Sequence, residues 1–265
     1  MNEVDYKKIN KASWNKRTSV HLESDFYDNK GFIEGRNSLK PIELALLGDI
    51  KGKSILHLQC HFGQDTISLT RLGAKATGVD ISDKAIEAAI DIAAKTQSDA
   101  QFISCDIYDL PRLLDQQFDI VFTSYGTIGW LPNMDKWAAV VAKFIKPGGK
   151  FVFVEFHPVV FMFDQQFSDF EYNYFNTGPI LETSDSSYTD ANAPLNLQDV
   201  SWNHSMGEVV NSLIGNGLTI KSLLEYDYSP FNNFDGLVEV EPGKYKIDYI
   251  DNKLPMVYSI VATKS

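Results

Sequence analysis

Only two cysteines, Cys60 and Cys105, occur in 265 residues, too few for a disulfide framework or a cysteine-rich zinc site. Reduced thiols, no metal site and a cytoplasmic home are therefore expected. Positive charge is scarce too: 24 Lys and Arg against 35 Asp and Glu leave a net charge of -11. Phosphate neutralisation needs a basic face, so nucleic acid is not an expected partner. No apolar run reaches membrane-spanning length, and MNEVDYKKINKASWNKR lacks the apolar core and cleavage site of a secretory signal. No membrane association is expected either. There is no internal repeat and no low-complexity tract, and oligomeric state is not legible. A hydrophobic share of 44% is enough for one full core with an insertion.

Glycine is missing where it would be most informative. The stretch ILHLQCHFGQDTISLTRLGAKATGVDIS, from Ile55 to Ser82, reads as strand, turn, helix and second strand ending in an aspartate. Such a turn usually cradles a nucleotide on glycines, yet Gln59 and His61 stand there and only Gly63 remains. A diphosphate must lie against bare backbone N–H groups, which side chains obstruct. NAD and FAD are poorly served; an adenosine without a diphosphate tolerates the bulk. His61 can take left-handed backbone, which histidine adopts more readily than most residues.

Down the chain, Ser82 suits an N-cap for a helix over 83–95, where Ile86, Ala89, Ile90 and Ala93 recur at helical spacing. Strands QFISCDI and FDIVFTSYG follow, then a helix over 134–144, punctuation at Pro147-Gly148-Gly149, and strand KFVFVEFHP. Strands alternating with helices predict a parallel sheet covered on both faces. Residues 159–202 lose that period and predict an inserted hairpin or lid. Ser205-Met206-Gly207-Glu208 is a capping-box pattern that starts another helix, and strands TIKSLLEYD and MVYSIVATK close the chain. The expected organisation is an N-terminal helical cover (1–48), a cofactor-binding core (49–158), a substrate lid (159–202) and the rest of the core sheet (203–265).

In open α/β sheets, ligands sit beyond the carboxyl ends of the strands. Those ends deliver Gln59, Cys60, His61 and Gly63 from the first strand and Asp80 from the second. Cys105, Asp106 and Ile107 come from the third, Ser124 and Tyr125 from the fourth, and Glu155 and His157 from the fifth. A carboxylate such as Asp80, about twenty positions beyond the turn, can accept from both hydroxyls of a ribose. Cys60 reads better as a small buried residue than as a nucleophile. His204 and Trp130 suit packing as well as chemistry.

These segments, together with FDIVFTSYGTIGWLPNMDKWAAVVAKFIKPGGKFVF and the closing LPMVYSIVATK, resemble class I S-adenosylmethionine-dependent methyltransferases. The likeness is close from Gly52 to Phe153 and looser over the last two strands. It implies an α/β, Rossmann-like, seven-stranded, mostly parallel sheet with an antiparallel last strand beside strand five. It implies Asp80 on the ribose, Ile81 and Ile107 against the adenine, and Asp106 at its amino group. Gln59, Cys60, His61 and Gly63 would face the methionine part, and Ser124 and Tyr125 would lie near the methyl. His57 departs from the pattern, standing where an acid is usual; the residues leave open whether it faces the methionine carboxylate or sits behind it. Trp14, His21 and Tyr27 would cover the cofactor. The activity expected is methyl transfer to a small-molecule acceptor through O, N or C, with His157, then Tyr125 and Glu155, as bases. Non-catalytic binding of the same cofactor, or an NAD-dependent oxidoreductase, are the alternatives.

Overall fold

A computed structural model describes residues 3–164, 166–190, 192–250 and 253–265, with side chains from Tyr6 onward. Residues 1, 2, 165, 191, 251 and 252, small parts of the expected cover, lid and C-terminal segment, lie outside the described residues. The central sheet is built from β1 (Ser54–Leu58), β2 (Lys75–Asp80), β3 (Gln101–Ser104), β4 (Phe118–Ser124), β5 (Ile145–Phe156), β8 (Leu218–Tyr226) and β11 (Val257–Lys264). Their order is β3-β2-β1-β4-β5-β11-β8. β11 runs antiparallel to both neighbours and every other described pairing in the sheet is parallel. The expected seven-stranded sheet with its antiparallel last strand is present.

Strand alternation explains how the sheet is sandwiched. Leu56, Leu58, Val121, Phe151 and Phe153 turn to one face, against α7 (Met134–Phe144) and α8 (Met206–Gly215). Ile55, Ile120, Phe122 and Val152 turn to the other, against α3 (Pro41–Leu47) and α4 (Gln64–Arg71). Covered on both sides, β1 is buried along Ile55–Leu58, which is why it reads as a near-continuous apolar run. The one polar member, His57, is satisfied: its Nδ1 lies 2.9 Å from Thr66 Oγ1.

Caps set the helix starts. Ser82 Oγ accepts from Ala85 N at the head of α5 (Asp83–Lys95), and Asn133 Oδ1 from Lys136 N at the head of α7. Ser205 Oγ likewise accepts from Glu208 N, but the return half of the expected capping box does not form. Glu208 Oε2 lies 3.1 Å from His204 Nδ1 instead. The third strand ends earlier than QFISCDI suggests, because Asp106 Oδ1 accepts from Tyr108 N and turns the chain out of the sheet.

Above the carboxyl ends lie three added pieces. The helix α1 (Glu3–Glu23) packs on the hairpin of β6 (Ile180–Ser184) and β7 (Leu197–Ser201), within the segment expected as an insertion. Asn10 bonds both ways to the Val200 backbone, at 2.8 and 2.9 Å. Arg17 grips Asp199 through two bonds of 2.8 and 2.6 Å, with both residues only 7% exposed. A second hairpin, β9 (Leu237–Glu241) and β10 (Lys244–Ile247), lies between β8 and β11; its pairing was not anticipated, because its short strands carry no distinctive period.

Candidate active site

A cavity of about 620 Å³ opens over the carboxyl ends of β1, β2, β4 and β5. Its floor is the turn after β1. Gln59 and His61 take φ of 56° and 50° and Gly63 takes 77°, so the left-handed backbone is carried mostly by residues with side chains. At Gly63 a side chain is excluded as well, since a Cβ would stand 2.5 Å from the Phe102 ring. Three N–H groups of the turn are already spent: Cys60 N on Val79 O, Gly63 N on Cys60 O, and His61 N on Asp80 Oδ2. A diphosphate would find these three donors taken and the Gln59 and His61 side chains in its way. Two buried polar atoms, Gln59 Oε1 and His61 Nδ1, belong to residues that line the cavity and have no protein partner. This donor and acceptor set suits an uncharged nucleoside and an amino-acid head better than a dinucleotide.

Asp80 ends β2 with one oxygen on His61 N and the other on Ser82 N, both at 2.8 Å. Each oxygen keeps a further lone pair for a ribose hydroxyl. Burial pushes its pKa up to about 6, opposed by those backbone donors. Ile81, Asp106 and Ile107 continue the wall from there. Asp106 is met by Lys7 of α1 at 3.2 Å, and burial raises its pKa despite that cation. At the other end Cys60, Ser124 and Tyr125 face the cavity. Burial pushes the Cys60 thiol well above its ordinary range, so the residue is a poor nucleophile.

The three expected bases fare differently. Tyr125 lines the cavity and its hydroxyl donates to Glu43 Oε2 at 2.8 Å. Glu155 also lines it, but its carboxylate is consumed by the loop after β4, accepting from Gly126 N, Thr127 N, Thr127 Oγ1 and Ile128 N. It fastens that loop and has no free lone pair directed at an acceptor. His157 does not line the cavity: Val159 N donates to its Nδ1, and its Nε2 lies 3.0 Å from Glu225 Oε1. Neither is positioned as a base, because the loop and a neighbouring strand have taken their polar atoms.

Of the expected cover, Trp14 and Tyr27 line the cavity, while His21 bridges the turn and the insertion. Its Nδ1 is 2.9 Å from His61 Nε2 and its Nε2 is 2.7 Å from Ser187 Oγ. Burial lowers the pKa of His21 to about 3, and burial also holds His61 well below its usual value, with Arg17 opposing charge on both. Burial and the nearby Arg17 charge thus favour the uncharged form of both rings. Sequence reasoning missed Asp65, Lys40 and Phe231, all in the cavity wall. Asp65 sits in the first turn of α4, where an acid suits the helix N-terminus, and that signal was available. Lys40 and Phe231 come from irregular segments and left none.

Comparison with known proteins agrees with this geometry. Residues 55–149 match the family model described as a methyltransferase domain. A ubiquinone biosynthesis O-methyltransferase of Coxiella burnetii is 30% identical over 135 residues, which is 50% of this chain and 57% of that protein. The chain thus spans little more than half the length of the curated relatives it matches. Among solved structures, a putative S-adenosylmethionine-dependent methyltransferase from Listeria monocytogenes aligns with a TM-score of 0.58 at 22% identity, over 84% of this chain and 97% of that one. A second, from Mesorhizobium loti, gives 0.57 at 19% identity over 88% and 100%. The fold is that of a Rossmann-like methyltransferase. Residues 55–149 thus carry a methyltransferase-domain match, and the fold as a whole is shared with S-adenosylmethionine-dependent methyltransferases of known structure. Among the described residues no helix is long and apolar enough to cross a membrane.

Proposed function

We propose that this protein transfers a methyl group from S-adenosylmethionine to a small-molecule acceptor. The observation that carries the reading is the turn after β1: three of its N–H groups are already bonded, the Gln59 and His61 side chains crowd a diphosphate, and a half-buried carboxylate stands beside it at Asp80. In this reading Asp80 holds the ribose, Ile81 and Ile107 pack on the adenine, and Asp106 meets its amino group. Gln59, Cys60, His61 and Gly63 border the methionine part, where Asp65 offers a carboxylate to the ammonium. Ser124 and Tyr125 border the transferable methyl. When bound, the cofactor would supply an electrophilic methyl on a sulfonium, which is already a good leaving group, to the lone pair of the acceptor.

The protein's share is alignment and exclusion of water. Trp14 and Tyr27 roof the cavity, and the Arg17–Asp199 pair clamps that roof to the insertion. Glu155 fixes the floor opposite by holding residues 126–128. Calorimetry with S-adenosylhomocysteine and with NADH tests the reading: binding of the first alone supports it, and binding of NADH alone ends it. Incubation with methyl-labelled cofactor and a metabolite extract then tests turnover. A protein that binds the cofactor and labels no small molecule would be a binding protein, contrary to the proposal.

A further inference from the structure

We propose that the acceptor is an aromatic ring bearing an anionic oxygen, received by Lys40. The inference rests on the methyltransferase reading and adds the substrate class. Three Lys or Arg side chains line the cavity. Arg17 is committed to Asp199 at 2.6 Å, and Arg36 to Asp28 at 3.0 Å. Lys40 has no ion pair and no side-chain hydrogen bond among the described residues; its Nζ stands 4.7 Å from the centre of the Phe231 ring. The carboxylates of Glu43 and Asp65 act on it only through charge, without an ion-pair contact, so this half-buried ammonium still has room to bond an anion.

Its aromatic neighbour lies at the edge of the space assigned to the cofactor, while the charge of Asp65 reaches Lys40 from the cofactor side. The path from Asp106 through Asp80 and the turn ends at Tyr125, and Phe231 lies beyond Tyr125, edge to face at 5.0 Å. The space there is walled by rings: Phe156 stands 5.6 Å from Tyr125 and 5.2 Å from Phe234, and Phe26 stacks on Phe231 at 5.8 Å. Flat walls of this kind favour a flat guest, which gains offset or edge contacts on several sides. A cationic amine would meet Lys40 as a like charge, whereas a carboxylate or phenolate would form a charge-assisted bond. Both anions share this chemistry, and the test tells them apart.

The experiment is calorimetry on the whole chain saturated with S-adenosylhomocysteine, at about pH 8, titrated with benzoate, 4-nitrophenolate and benzylamine. One of the two anions should bind at least about tenfold more tightly than benzylamine, and the tighter one assigns carboxylate or phenolate. Lys40→Met should weaken that anion by about tenfold or more, Lys40→Arg should largely restore it, and affinity for S-adenosylhomocysteine should stay the same in both. Equal or tighter benzylamine binding, no measurable binding of either anion, or an unchanged anion affinity in Lys40→Met would overturn the proposal. So would a parallel loss of S-adenosylhomocysteine affinity, since Lys40 would then serve the cofactor. Failure of the unaltered protein to bind S-adenosylhomocysteine would instead sink the methyltransferase reading.

Discussion

Replacing Glu43 by Gln should make the protein more stable, and increasingly so as pH rises. Glu43 is 1% exposed, accepts from Lys40 N at 2.6 Å and shares a bond of 2.8 Å with the Tyr125 hydroxyl. Burial, reinforced by the charge of Asp65, pushes its pKa from an ordinary 4.5 up to about 8. Between those values the unfolded chain has released a proton that the folded chain keeps. Stability contributed by this group is therefore complete below the unfolded pKa and declines as pH rises, until the folded carboxyl has ionised as well. At about 1.4 kcal/mol per pH unit, a window of about 3.5 units sets a ceiling of about 5 kcal/mol. Glutamine mimics the protonated acid, with its oxygen on Lys40 N and its amide toward the Tyr125 oxygen, and does not titrate. The two proteins should match near the unfolded pKa and diverge steadily above it, reaching several degrees in Tm at about pH 8.5. Differential scanning calorimetry from about pH 5 to 8.5 measures this. Other titrating groups, Asp80 among them, are common to both proteins and cancel in the difference. A difference in Tm that stays constant with pH would refute the reasoning.

Asp80→Ala should weaken S-adenosylhomocysteine by more than about tenfold, through two lost charge-assisted bonds; unchanged affinity would place the ribose elsewhere. In the unaltered protein that affinity should be flat near neutrality and fall as pH drops below the Asp80 pKa of about 6, since the acceptor carboxylate is then protonated. A pH-independent Kd would contradict it. Asp199→Ala leaves the Arg17 guanidinium buried and unpaired and should cost about 3–5 kcal/mol in urea unfolding. A loss below about 1 kcal/mol would mean the pair is not a clamp. Gly63→Ala combines a left-handed backbone with a clash on Phe102 and should cost about 2–4 kcal/mol, measured in the same way.

The sheet was legible because its signals are local. Apolar Ile55–Leu58, the cap at Ser82 and the periodic helix over 134–144 each follow from short-range backbone chemistry, and alternation of such units admits few topologies. The residues delivered by strand ends were legible for the same reason: a strand's last position fixes where its side chain emerges. Every residue expected at the cofactor, from Gln59 to Tyr125, does line one cavity. The left-handed turn at His61 was readable too, though not that Gln59 would share it.

Which polar atoms remain free was decided only by the tertiary structure. Glu155 and His157 carry the chemistry of a base and stand near the right strand end, yet the loop at 126–128 and Glu225 claim them. Lys40 and Phe231 are far apart in sequence and in segments without period, yet they meet at 4.7 Å. Sequence determines what each residue can donate, accept or bury and which elements form locally. Hydrogen-bond capacity is used up by whichever neighbours the fold brings close, so the atoms left over for a ligand are a property of the packed chain alone.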